Sequence, residues 1–99
     1  MAELRWTLEA LDWLEDIQRY IAQDNPQAAA NVIDGILQKA GVLTAFPDIG
    51  TRLRIVPEGE VRMILYGHYR IAYLCRNDMD AIEILGVFHD ALDIDRYIP

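Results

Sequence analysis

Residues 61–76, VRMILYGHYRIAYLCR, and residues 81–89, AIEILGVFH, decide the fold of this 99-residue chain. They contain three short runs of β-branched, aromatic and aliphatic residues, which are separated by YGH at residues 66–68 and NDMD at residues 77–80. Runs of this composition between turn-forming residues are typical of β-strands that are joined by hairpins. We therefore predict an antiparallel sheet in the second half of the chain.

Two amphipathic helices are predicted before this sheet. The apolar residues that recur at helical spacing in the first of them are Leu11, Leu14, Ile17 and Ile21. They predict a helix over about residues 8–23. Asn25 and Pro26 are favoured at the N-cap and at the first position of a helix, so the second helix begins there. Residues 46–50, FPDIG, end it, and the short link between the helices requires an antiparallel hairpin.

Strand-like alternation at residues 3–7 and 51–56 adds one strand before the helices and one after them. The element order is therefore β-α-α-β-β-β-β, with helices early and strands late. This order predicts an α+β fold in which the N-terminal strand and the helical hairpin pack on one face of a C-terminal antiparallel β-sheet. A chain of this length forms one domain, which we assign to residues 1–99.

The formal net charge of −7 is unevenly distributed along the chain. Residues 51–76 contain five arginines and two glutamates, a local charge of +3, whereas residues 1–50 and 77–99 each carry −5. The long-range field of an acidic protein repels a phosphate backbone, so we do not expect direct nucleic-acid binding. The basic segment instead favours an acidic peptide as partner.

The composition also bears on compartment and chemistry. No apolar run approaches the roughly 20 residues that a membrane helix needs, and the first residues, MAELR, lack a secretory signal, so we expect a cytoplasmic protein without membrane association. The single Cys75 has no partner for an internal disulfide and lies in a strand-like run, where we expect a small core residue. Metal-ligand spacing and a phosphate-binding glycine loop are both missing, so we expect no metal and no cofactor.

The direction of the arginine side chains depends on the turn at residues 66–68. A three-residue turn places Leu65 opposite Tyr69, and residues of equal parity then share a face. A two-residue turn reverses the parity of one strand and mixes arginines with core residues. We predict the three-residue turn, because it leaves one apolar face for the helices. The residues predicted on that face are Val61, Met63, Leu65, Tyr69, Ile71, Tyr73, Ile82, Ile84 and Phe88.

The opposite, helix-free face is predicted to mix basic and apolar side chains. Its predicted binding residues are Arg62, Ile64, Arg70, Leu74, Arg76, Leu85, Val87 and His89. Exposed apolar residues that are surrounded by charge are typical of a protein-binding groove. A solvated sheet face with scattered aliphatic residues is the alternative.

Residues spread over nearly the whole chain match a known pattern in their order and spacing. They are Trp6, Ala10, Leu14, Ile17, Tyr20, Ile21, Asn25, Pro26, Gln27, Ala28, Ala29, Leu43, Phe46, Pro47, Gly50, Arg62, Tyr69, Arg70, Ile71, Tyr73, Ile82, Ile84, Val87 and His89. In this pattern the chain resembles the RelE/ParE superfamily of bacterial type II toxins. The resemblance implies the fold predicted above and a toxin that a cognate antitoxin, similar to ParD, holds inactive in a hetero-oligomer. Members similar to ParE inhibit DNA gyrase, whereas members similar to RelE cleave messenger RNA in the ribosome.

The chain resembles the ParE-like branch more than the RelE-like branch. RelE-like ribonucleases have a strongly basic surface, but Lys39 is the only lysine here, and the acidic Asp90 follows His89. The resemblance therefore implies a gyrase inhibitor that acts by binding and is not an enzyme. If the chain is instead a RelE-like endoribonuclease, Arg62, Arg70 and His89 are the catalytic candidates, because RNA cleavage requires a base, an acid and charge stabilisation. A toxin-fold binding module without toxicity is the third interpretation.

Overall fold

The computed structural model describes residues 2–77, 80–92 and 94–99. Its elements in chain order are β1 (Glu3–Trp6), α1 (Leu8–Ala22), α2 (Pro26–Gly41), a 3₁₀-helix (Val42–Thr44), β2 (Thr51–Val56), β3 (Gly59–Tyr66), β4 (Tyr69–Arg76), β5 (Ala81–His89) and a second 3₁₀-helix (Ile94–Arg96). This is the predicted order, so the predicted α+β fold with helices against a sheet is confirmed. Asp78 and Met79, in the predicted turn at residues 77–80, lie outside the described residues.

Side-chain caps fix the starts of both long helices. The Thr7 hydroxyl oxygen accepts a hydrogen bond of 3.1 Å from the Ala10 N–H, and Asn25 Oδ1 accepts one of 3.1 Å from the Ala28 N–H. Each cap satisfies a backbone donor that has no partner within the first turn of its helix. Pro26 at the first position of α2 removes no helical hydrogen bond, so the predicted start of this helix is confirmed.

Five strands form one sheet in the order β1-β5-β4-β3-β2. Strands β2 to β5 are antiparallel, as predicted, but β1 pairs with β5 in parallel, with Glu3 opposite Ala81 and Trp6 opposite Ile84. Because β1 ends at that point, it covers only the first half of β5. Helix α1 packs beside the remaining half.

The predicted three-residue turn between β3 and β4 is wrong. Tyr66 pairs directly with Tyr69, which leaves a turn of two residues, Gly67 and His68. Two-residue hairpin turns of the favoured types need a backbone in the left-handed region, and Gly67 provides it with a φ of 57°. The shorter turn reverses the parity of β3 relative to the prediction, so Ile64 faces the helices.

A β-bulge in β5 causes a second reversal. Ala72 pairs with Gly86 but Tyr73 pairs with Ile84, which leaves Leu85 without a partner in β4. Val87 therefore faces the helices instead of the opposite side. The residues wrongly predicted to face the helices are Val61, Met63, Leu65 and Phe88, whereas the predictions for Tyr69, Ile71, Tyr73, Ile82 and Ile84 are confirmed.

Both faces of the sheet are covered. On the helix face, α1 and α2 pack against Ile64, Ile71, Tyr73, Ile82, Ile84 and Val87. On the other face, which we call the tail face, Ile94 and Ile98 pack with Val61, Ala72, Leu74 and Phe88. These two isoleucines belong to the C-terminal tail, residues 90–99, of which Asp93 lies outside the described residues. The face that was predicted to be open is thus largely buried under the tail.

Trp13 of α1 joins the two clusters where β1 ends. Its ring centroid lies 4.7 Å from that of Phe88 and 5.2 Å from that of Tyr97, both edge-to-face. Gly86 makes space for this arrangement, because a Cβ atom there would approach the Phe88 ring to 2.3 Å. The aromatic cluster closes the part of β5 that β1 leaves uncovered.

Candidate functional site

The eight predicted binding residues do not share one face. Arg62, Ile64, Val87 and His89 lie on the helix face, and Arg70, Leu74, Arg76 and Leu85 lie on the tail face. Ile64, Leu74 and Val87 are buried and have little surface to offer a partner. The single groove predicted from strand parity is wrong, because the two-residue turn and the bulge each reverse that parity.

Arg62 anchors the loop before β2. Its guanidinium group forms an ion pair of 2.9 Å with Glu60 and donates hydrogen bonds to the carbonyl oxygens of Asp48 at 3.1 Å and Gly50 at 2.7 Å. The hydrogen bond from Arg62 holds the pKa of the Glu60 carboxyl below its ordinary value. With its side chain only 17% exposed, Arg62 uses its charge and its donors inside the chain.

Tyr73 and Cys75 fasten the same loop from β4. The Tyr73 hydroxyl donates to the Pro47 carbonyl oxygen at 2.9 Å and accepts from the Gly50 N–H at 3.0 Å, and the Cys75 Sγ lies 3.4 Å from the same Pro47 oxygen. Burial raises the pKa of the Tyr73 hydroxyl and of the Cys75 thiol. Both groups therefore stay protonated at neutral pH, and Cys75 has the packed, unreactive environment of a core thiol.

Arg70 and His89 meet the start of the C-terminal tail from opposite faces of the sheet. Arg70 Nη2 donates to the Asp90 carbonyl oxygen at 2.5 Å, and the Ala91 N–H donates to His89 Nδ1 at 3.1 Å. The Asp90 carboxylate lies 3.2 Å from His89 Nδ1 and 3.6 Å from His68 Nδ1. The end of the sheet thus collects two exposed imidazoles around one carboxylate.

A groove of about 360 Å³ lies between α1 and this end of the sheet. It is lined by Trp13, Asp16, Ile17, Tyr20, Tyr69, Val87, His89 and Leu92. Burial raises the pKa of the Tyr69 hydroxyl. Sequence reasoning included Val87 and His89 among the binding residues but missed the aromatic side chains beside them. The position of Trp13 and Tyr20 next to the apolar stripe of α1 is the signal that could have located them.

Each of the eight arginines has a contact with another group. The ion pairs beyond that of Arg62 join Arg5 to Glu3, Arg19 to Glu15 and Asp16, Arg52 to Glu60, Arg54 to Asp95, and Arg76 to Glu83. Arg70 uses the Asp90 carbonyl oxygen, and Arg96 has a contact as well. The basic segment therefore holds its charges in place with neighbouring carboxylates.

Neither a metal centre nor a membrane span is found in the residues that the structure describes. No group of three or more histidine, cysteine, aspartate or glutamate side chains there is arranged to hold a metal ion. None of the helices described is both long and apolar enough to cross a membrane. The functional candidates that the structure does contain are its grooves and its exposed side chains.

Comparison with known proteins identifies the family. The family model described as the ParE toxin of the type II toxin–antitoxin system parDE matches residues 4–94. The protein Y4kP of Sinorhizobium fredii is 37% identical over 86 residues, which are 87% of this chain and 85% of that protein. The chain therefore belongs to the ParE toxin family of type II toxin–antitoxin systems, as the resemblance over most of its length predicted.

Solved structures share the fold. The chromosomal ParDE system of P. aeruginosa matches with a TM-score of 0.70 and 24% identity, over 90% of this chain and 96% of that chain. The RelBE2 toxin–antitoxin complex of Mycobacterium tuberculosis matches with a TM-score of 0.60 and 25% identity, over 89% and 96%. The isolated RelE toxin of E. coli matches with a TM-score of 0.67 at 15% identity, over 97% and 93%, so it is similar in fold alone.

Proposed function

We propose that this toxin inhibits DNA gyrase by binding it, and that it is not an enzyme. The observation that carries the proposal is the match of the ParE toxin family over residues 4–94. Members similar to ParE inhibit gyrase, and the P. aeruginosa ParDE system shares the fold of this chain.

The distribution of charge favours this proposal over RNA cleavage. A ribonuclease must present positive charge to the phosphate and bring a base and an acid to the same point. Here Arg62 lies on the helix face and binds the loop before β2, whereas Arg70 lies on the tail face and binds the Asp90 carbonyl oxygen. His89 is exposed beside the acidic Asp90, which repels phosphate. The three catalytic candidates therefore do not converge.

We further propose that a cognate, ParD-like antitoxin neutralises this toxin by binding. Two of the similar structures are a ParDE toxin–antitoxin system and a RelBE2 toxin–antitoxin complex, which supports a hetero-oligomer of the same kind. Of the predicted binding residues, the exposed His89 lines the groove beside α1, and the partly exposed Arg70 lies on the tail face at the start of the C-terminal tail. They remain our proposal for contacts with the antitoxin or with the target.

A supercoiling assay with purified gyrase tests the main proposal. We expect loss of supercoiling as toxin approaches saturation, and recovery when the product of the adjacent antitoxin reading frame is added. Heat-unfolded toxin is the control for non-specific inhibition. Unchanged supercoiling at saturating folded toxin would contradict gyrase inhibition.

A second assay addresses the RelE-like alternative, for which Arg70 and His89 are catalytic candidates that contact Asp90 and Ala91. Toxin is added to translating ribosomes, and the message is examined for cleavage. We expect intact message. Cleavage that the Arg70→Ala and His89→Ala variants both lose would establish the ribonuclease instead.

A further inference from the structure

The groove of about 360 Å³ between α1 and the end of the sheet, which we call the aromatic groove, is lined mainly by rings. Helix α1 contributes four residues at the spacing that brings side chains onto one helix face, namely Trp13, Asp16, Ile17 and Tyr20. From the sheet, Tyr69 and His89 are cross-strand partners whose rings meet edge-to-face at 5.8 Å. The buried Ile17 and Val87 add apolar surface. The groove therefore offers aromatic rings from two sides to a ligand.

The aromatic groove is also acidic. Asp16 lines it on the α1 side, and α1 as a whole contains four carboxylates and one arginine, a net charge of −3. On the sheet side, the Asp90 carboxylate lies 3.2 Å from His89 Nδ1. None of the eight lining residues is a lysine or an arginine. The charge around the groove therefore favours a cationic ligand.

The neighbouring Arg19 does not line this groove. Its guanidinium group lies 2.8 Å from a Glu15 oxygen and 3.3 Å from Asp16 Oδ1, on the exposed surface of α1. Exposed ion pairs of this kind contribute little free energy. Since a carboxylate accepts several hydrogen bonds, Asp16 can bind a second guanidinium group beside that of Arg19. The carboxylate in the groove thus remains usable by a partner.

We propose that the aromatic groove binds an arginine side chain in a basic segment of the target, gyrase. A planar guanidinium group stacks on aromatic rings and also pairs with a carboxylate, which an aliphatic side chain cannot do. The exposed Tyr20 would supply a ring, and Asp16 would supply the carboxylate. This inference rests on the proposed function, because it names the part of the toxin that meets gyrase.

A second copy of the toxin fits the aromatic groove less well. Each of the eight arginines of this chain already has a contact within its own chain. Two copies that met through α1 would also oppose two helices of net charge −3. The charge of the groove therefore favours a basic partner over another toxin.

Charge reversal at Asp16 tests the electrostatic part. Binding of full-length toxin to immobilised gyrase is measured by biolayer interferometry. We expect Asp16→Lys to raise Kd about tenfold or more, because an ammonium group then opposes the incoming arginine. Glu15→Lys is the matched control, since Glu15 is equally exposed and also pairs with Arg19 but does not line the groove. It should raise Kd less than about threefold, because salt screens charges outside the contact.

Removal of one ring tests the aromatic part. Tyr20 is 75% exposed, so its replacement leaves the core intact. We expect Tyr20→Ala to raise the Kd for gyrase about fivefold, because the stacking surface for the guanidinium group is lost. Tyr20→Phe keeps the ring and should change Kd less than about twofold. Circular dichroism and thermal unfolding verify that every variant is folded.

A small ligand tests the groove without gyrase. Isotope-labelled toxin is titrated with N-acetyl-arginine methylamide, and its amide and indole signals are followed by NMR. We expect the indole N–H of Trp13 to shift with millimolar affinity, whereas that of Trp6, which lies in β1 outside the groove, stays in place. The uncharged N-acetyl-norleucine methylamide is the control and should shift Trp13 less. Asp16→Lys should abolish the response to the arginine compound.

The outcomes separate this inference from the proposed function. Wild-type affinity for gyrase in folded Asp16→Lys and Tyr20→Ala would overturn the groove site while gyrase inhibition stands. Equal losses in Asp16→Lys and Glu15→Lys, or equal shifts with the norleucine compound, would overturn it as well. If Asp16→Lys weakened only self-association or only binding of the adjacent antitoxin product, the groove would belong to that partner and the inference would fail. Binding of the arginine compound by a toxin that does not bind gyrase would support the arginine site and reject the proposed target.

Discussion

The two faces of the sheet are buried by very different means. The helix face is covered by helices of 15 and 16 residues, whose backbone hydrogen bonds are satisfied internally and whose starts are capped. The tail face is covered by a short irregular segment that inserts Ile94 and Ile98 and is joined to the sheet by Arg54–Asp95 and by Arg70 at the Asp90 carbonyl oxygen. Segments with few apolar anchors open at lower free energy, so we expect the tail to detach before the helices do.

The largest expected effect is on the helix face. Ile36 of α2 is completely buried in the helix-face cluster, so Ile36→Ala should lower the free energy of unfolding by about 3–4 kcal/mol. Ile98→Ala makes the same chemical change in the tail, where a short segment with few apolar anchors can close over the cavity, and should cost about 1–2 kcal/mol. Urea unfolding of the wild-type protein and of the two variants gives both changes in the free energy of unfolding.

Hydrogen exchange sharpens that comparison further. Amides of β3 and β4 are shared by both faces, so they report global unfolding in either variant, whereas the backbone amides of residues 94–98 report detachment of the tail alone. Ile98→Ala should raise exchange in the tail more than in the helices. Equal costs for the two substitutions would show that the tail is as firmly integrated as the helical layer.

An intermediate loss of stability is expected at Gly86, where the packing on the tail face leaves little space for a side chain. Gly86→Ala would place a Cβ atom 2.3 Å from the Phe88 ring, which is itself held between Trp13 and Tyr97. Forced repacking of this kind should cost about 2 kcal/mol. Thermal unfolding and the fluorescence of Trp13 measure the change. Gly41→Ala is the matched control, since nothing lies within 4 Å of its Cβ position and alanine favours the helix by up to about 1 kcal/mol.

The smallest expected effect is on the pH dependence of stability, and it concerns the ion pair of Arg62, the residue that anchors the loop before β2. The pKa of Glu60 is lowered in the fold by the hydrogen bond from Arg62, so this pair stabilises the fold above the ordinary value of 4.5 and the stabilisation is lost as pH falls through the lowered pKa. Glu60→Gln should therefore have a slightly lower Tm than wild type near pH 7. The two proteins should converge in the acidic range below the ordinary value. A Tm difference that stays constant through that range would argue against the ion pair as its cause.

Local sequence signals predict the elements well. Asn25 and Pro26 mark the start of α2 because capping and proline geometry are properties of a few adjacent residues. The apolar spacing in α1 and the β-rich runs of the second half likewise depend on near neighbours. For this reason the α+β class and the element order follow from the sequence, although the parallel pairing of β1 with β5 does not.

The faces of the strands could not be predicted in the same way. The segment at residues 66–68 fits a turn of two or of three residues, and only the packing of Ile64 under the helices selects the shorter one. The bulge at Leu85 adjoins Gly86, and a glycine within a strand-like run suggests either a bulge or a close backbone approach, so it does not fix the register. Since the tail makes the second face apolar as well, hydrophobic alternation could not distinguish the helix face from the tail face.

The surroundings of the candidate site residues could not be predicted from the sequence either. Arg62 and Arg70 attract attention as basic residues among apolar ones, but the structure engages both with backbone carbonyl oxygens. Lys39 appears in the sequence only as a solitary lysine on a helix. Its position beside Met63, Ile64 and Leu65, where β2 stops pairing with β3, is a property of the folded sheet.

The parallel pairing of β1 with β5 also bears on how the protein is made. During synthesis the segment Glu3–Trp6 leaves the ribosome well before its partner Ala81–Ile84. The helical hairpin is complete long before the sheet that buries it, and such distant contacts form slowly. A messenger RNA that is cleaved upstream of the codon for Ala81 therefore yields a chain that cannot form the five-stranded sheet. Toxicity should depend on translation beyond Ile84, and chains that terminate before it should be substrates for proteolysis.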